Sequence, residues 1–141
     1  MDKGFGYWLR WIIVLPGAIA VGILSTFPLH WILLLAFAHD GATIFGLIEF
    51  EHGIDIEPIE YMLYPAVIAA TFVIAGYKIA PEYKFKTALA LFVIYTLGWL
   101  AVIFFAQFKG DINIQIPIRA ILAILGAAIG LYGARLKTKE N

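Results

Sequence analysis

The run TALALFVIYTLGWLAVIFFAQF, Thr87–Phe108, contains no charged side chain and decides what kind of molecule this is. At about 1.5 Å per residue, a helix of that length reaches about 33 Å, enough to cross a hydrocarbon core of roughly 30 Å. Three more stretches read the same way. Trp11 to Ala38 is free of charge, Tyr61 to Tyr77 follows, and Ala120 to Ala134 comes last with an apolar lead-in from Ile112. With 62% hydrophobic and only 14% charged residues, the 141-residue chain lacks the polar surface that a water-soluble globule needs. The sequence therefore predicts an all-α, polytopic membrane protein: one domain over 1–141, built as an antiparallel bundle of four transmembrane helices. The spans are placed at about 8–27, 61–80, 87–108 and 116–136.

The charges around these spans are sorted by sign. With both termini cytoplasmic, Lys3, Arg10, Lys78, Lys84, Lys86, Arg135, Lys137 and Lys139 fall inside and only Lys109 and Arg119 outside, as the positive-inside bias requires. The acids divide the other way: Asp40, Glu49, Glu51, Asp55, Glu57, Glu60 and Asp111 lie outside, most of them in one acidic loop on the scale of 20 residues. Interfacial aromatics agree, with Tyr7, Trp8 and Trp11 at one boundary, Tyr61 and Tyr64 at another, and Tyr77 and Tyr83 beside the inner basic turn. Lys3 and Arg10 before an apolar stretch also suggest a signal peptide. That stretch is too long for one and lacks a small-x-small cleavage site. The expected location is thus the cytoplasmic membrane, multi-pass, N-in and C-in. The lysines form no dense block, so nucleic acid is not an expected partner.

Prolines punctuate the spans. A straight helix from Trp11 to Ala38 would be about 42 Å long and is interrupted by Pro28. The reading is a spanning helix to about Phe27, then a kinked or interfacial extension over 28–38. Pro65 and Pro117 are read as first-turn prolines. Ile54, Ile56 and Ile59 alternate, as do Ile112, Ile114 and Ile116, which allows a small two-stranded cap on the outer face.

Four groups of residues are candidates for function. Gly126 and Gly130 form a GxxxG pair within a stripe that includes Ala120, Ala123, Ala127 and Ala134; Ala18 and Gly22 make a smaller pair. Small residues let helix backbones approach closely, within one chain or between subunits. Arg119, in the opening turn of the last span, must snorkel, pair with Glu57 or Glu60, contact an anion or lipid phosphate, or guard a pore mouth. Ser25, Thr26, His30 and Trp31 gather at the proline break as a polar constriction or head-group pocket. His39, Asp40, Glu49, Glu51 and His52 share the acidic loop, but their spacing fits no metal-ligand motif, so no metal and no cofactor is expected. His30 is the only histidine within an apolar run, which leaves no second ligand for an intramembrane haem.

Catalytic patterns are missing. Ser25 is the only serine, five residues from His30 and so off its helix face; there is no HExxH, no glycine-rich phosphate loop and no cysteine. The expectation is a non-enzymatic membrane subunit or assembly factor that associates with itself or another membrane protein through helix packing. The alternatives are an oligomeric ion channel or pore and, more weakly, a lipid- or quinone-binding protein.

The segments Leu9-Arg10-Trp11, Leu15-Pro16-Gly17-Ala18 and Phe27-Pro28-Leu29-His30-Trp31, with Ala75-Gly76-Tyr77-Lys78-Ile79-Ala80-Pro81 and Lys84-Phe85-Lys86-Thr87, are similar to a group of small bacterial four-span membrane proteins without an assigned activity. The resemblance spans most of the chain outside the outer loops. It implies a prokaryotic inner-membrane protein and carries over no site residues.

Overall fold

The computed structural model describes residues 4–37, 57–110 and 114–139. They form α1 (Phe5–Leu24), α2 (Thr26–Phe37), α3 (Glu57–Ile79), α4 (Lys84–Lys109) and α5 (Gln115–Lys139). Among the described residues there is no strand. Four helical stretches are long and apolar enough to cross a membrane, with α1 and α2 together supplying the first, Phe5–Ala36.

Local chemistry sets the boundaries. The first stretch breaks at Ser25, one turn before Pro28, whereas the sequence suggested Phe27. Proline has no N–H for the carbonyl four residues back, here Leu24, and its ring crowds that carbonyl, so the disturbance appears upstream. Ser25 keeps a right-handed backbone (φ −67°, ψ −14°), and its N–H still reaches the Val21 carbonyl at 3.0 Å. α3 starts at Glu57, a turn earlier than expected, with Pro58 in the opening turn that tolerates its missing N–H. Pro65 consequently stands two turns inside the helix, while Pro117 does fall in the first turn of α5. α4 ends at Gly110, whose φ of 74° closes the helix and turns its N–H back onto the Ala106 and Gln107 carbonyls. Of the isoleucines read as alternating, Ile59 and Ile116 are helical and Ile114 is in a turn; Ile54, Ile56 and Ile112 lie outside the described residues.

α3 is the hub. It packs against α1, α4 and α5, α4 also packs against α5, and the backbones of α1 and α4 stand apart. The tightest seam joins α3 to α5. A Cβ added to Gly126 would land on the Ala66 carbonyl, and one added to Gly130 would come within 2.6 Å of the Ala70 oxygen. Ala120, Ala123, Ala127 and Ala134 are buried along the same side of α5. On the other side of α3, Ala18 is fully buried and Gly22 rests on Ile68 and Phe72. The core is accordingly small-residue and thin, with Val73 the bulkiest side chain fully enclosed. Ile12, Leu35, Leu97, Phe104, Phe105 and Ile129 are exposed on the outside, the distribution expected where the solvent is hydrocarbon.

Candidate functional site

Two polar clusters and one groove meet α3 near its N-terminal half. The first cluster lies between α2 and α3. His30 Nδ1 sits 2.5 Å from Glu60 Oε1, and the Tyr64 hydroxyl donates to Glu60 Oε2 at 2.8 Å. Glu60 is the only charged side chain buried among the described residues, whereas the His30 side chain is 46% exposed. Tyr64 follows Glu60 by one helical turn, which brings both to the face that α2 covers. Both carboxylate oxygens are thus engaged, and the first turn of α3, which also carries Glu57, favours negative charge through the helix dipole. With a proton on Nδ1 the histidine donates to the carboxylate, leaving Nε2 for a partner outside the seam. Trp31 stands edge-on to the His30 ring at 6.1 Å and is itself exposed.

Deeper along the seam, Ser25 Oγ donates to the Gly22 carbonyl and lies 3.0 Å from Thr71 Oγ1. Thr26 instead bonds back to Ile23 within its own helix. The four residues grouped at the proline break therefore separate: Ser25 joins Thr71, His30 joins Glu60, and Thr26 and Trp31 face outward.

Arg119 forms the second cluster. Its guanidinium lies over the Tyr61 ring at 3.7 Å from the centroid and 5.9 Å from that of Trp99. Such stacking suits a flat, weakly hydrated cation. The guanidinium lies on these rings while Glu60 is engaged by His30 and Tyr64. Arg119 Nε is buried with no hydrogen-bond partner among the described residues.

Because α1 and α4 both lean on α3 with their backbones held apart, an apolar groove of about 550 Å³ opens between them. Ile68 and Phe72 form its floor, Leu15, Ile19 and Ile23 one wall, and Ile94, Tyr95, Trp99 and Val102 the other. Tyr95 is fixed there by a hydrogen bond from its hydroxyl to the Pro65 carbonyl at 3.1 Å and by the Phe72 ring at 5.7 Å. Gly98 widens the groove, since a Cβ there would meet nothing within 4 Å.

Sequence reading named His30, Glu60 and Arg119 but not their actual neighbours. Tyr61 and Tyr64 were read as belt aromatics, and Thr71, Tyr95 and Trp99 carried no signal beyond being polar or aromatic inside a span. The spacing of Glu60, Tyr64 and Thr71 along one side of a helix was the available clue. The small-residue stripe of α5 is spent inside the chain on α3. The loop residues His39, Asp40, Glu49, Glu51 and His52 lie outside the described residues. No family of known proteins, no curated protein and no solved structure matches this chain.

Proposed function

We propose that this chain is a non-enzymatic, multi-pass protein of the cytoplasmic membrane, N-in and C-in, that acts as an accessory subunit by holding the hydrocarbon chain of a membrane amphiphile between α1 and α4. The groove carries this reading. It is lined almost entirely by hydrocarbon, lies open between α1 and α4, and is kept wide by Gly98. Binding sites of this kind bury most of a ligand's apolar body and fix it with few polar groups. The antiparallel bundle that the reading assumes is supported at both ends of α3: the Tyr7 hydroxyl donates to Glu82 at 2.9 Å beyond its C-terminus, while His30 meets Glu60 at its start. The sorting of basic and acidic residues supports the orientation.

Two other readings lose support. A pore needs polar groups facing a lumen, but Ser25, Thr71, His30 and Glu60 bond to one another across a packed seam. Self-association through the GxxxG face would compete with α3, which already occupies it.

The test is native mass spectrometry of protein extracted in mild detergent, comparing wild type with Gly98→Leu. The leucine has open space to enter, so the bundle should melt at an unchanged temperature while the lipid retained by wild type is lost. A wild type without bound lipid, or a Gly98→Leu protein that holds as much, refutes the reading.

A further inference from the structure

We infer that the groove selects an anionic phospholipid, with Arg119 as its phosphate contact; this rests on the reading of the groove as an amphiphile site. Arg119 belongs to α5, yet its guanidinium lies beside Trp99, which is part of the α4 wall. Beneath it is Tyr61, which shares a helix face with the floor residue Ile68 seven positions on. One helix face therefore runs from the apolar floor to a stacked cation, the order of parts in a lipid: acyl chain, then charged head.

The state of the guanidinium points to the same ligand. The Tyr61 ring lies against the guanidinium at 3.7 Å, and Arg119 as a whole is only half-buried, so it is the terminal nitrogens beyond the buried Nε that can meet an acceptor. Nε is removed from solvent and has no hydrogen-bond partner among the described residues. A buried donor left unsatisfied is costly, and a cation even more so at the edge of a bilayer. A phosphate diester offers two unesterified oxygens whose spacing matches the guanidinium fork. Of the two acids that the sequence offered as partners, Glu57 and Glu60, Glu60 has both oxygens engaged by His30 and Tyr64. A zwitterionic phospholipid also carries phosphate, but its ammonium sits against the same cation. A lipid of net negative charge has no such opposition.

The experiment places the full chain in nanodiscs of equal parts phosphatidylglycerol and phosphatidylcholine, releases it, and reads the retained lipids by native mass spectrometry. Wild type should be enriched in phosphatidylglycerol, and Arg119→Ala should lower the enrichment about tenfold, the effect of one charge-assisted contact. Arg119→Lys, which keeps the charge but not the fork, should retain part of it and guards against misfolding of the alanine variant. Retained lipid with the same head-group ratio in wild type and Arg119→Ala overturns the inference while leaving the amphiphile reading intact. Loss of all lipid binding from wild type overturns the amphiphile reading itself.

Discussion

Glu60 shows how a single side chain can be visible in a sequence and still be misread. Its charge at the start of a span marks it as costly, and the natural partner by charge is Arg119. The bundle gives it a histidine and a tyrosine instead, because the turn before Pro28 brings His30 over the first turns of α3. Hydrogen bonds between membrane helices are worth about 0.6 kcal/mol on average and up to about 1.7. His30→Ala and Glu60→Ala should each lower the thermal stability of the detergent-solubilised protein, and the double variant should cost less than their sum. Tryptophan fluorescence melts of the four proteins provide the cycle; strict additivity would mean that the two side chains do not interact. Arg119 was legible as a problem but not in its solution. Nothing in a linear sequence indicates that Tyr61 and Trp99, from two different helices, will stack around it.

At the level of elements, the four apolar stretches could be read directly, since a bilayer demands length and freedom from charge before anything else. Helix ends were less accessible. Pro58 rather than Pro65 marks the opening turn of α3, and the break at Ser25 shows the effect of a proline three residues away. The stripe on α5 was apparent as small residues at helical spacing, but its partner was not, because α3 carries matching alanines, Ala66 and Ala70, that look like ordinary span composition. The α3–α5 seam gives a sharp contrast between two glycines of one helix. Gly126→Val drives a branched side chain into the Ala66 backbone and should destabilise by on the order of 1–3 kcal/mol. Gly133→Ala enters open space and should be neutral or gain up to about 1 kcal/mol in helix propensity. Unfolding titrations in mixed micelles separate the two; equal midpoints would show that the seam is looser than this backbone contact.

For the whole molecule, the segregation of lysine and arginine from aspartate and glutamate predicts the side on which each loop lies. The chain has no cysteine, so single cysteines can be introduced without background. A cysteine replacing Glu51 should react with an impermeant maleimide in cells whose inner-membrane outer face is accessible, whereas one replacing Lys84 should react only after the membrane is opened. The reverse pattern would invert the topology. The arrangement around α3 also bears on biogenesis. The first apolar stretch leaves the ribosome before α3 exists, yet α3 is the hub it packs against, and its backbone stands apart from that of α4. Until translation delivers the helix against which it docks, that stretch is held in the lipid by its own apolarity rather than by the bundle.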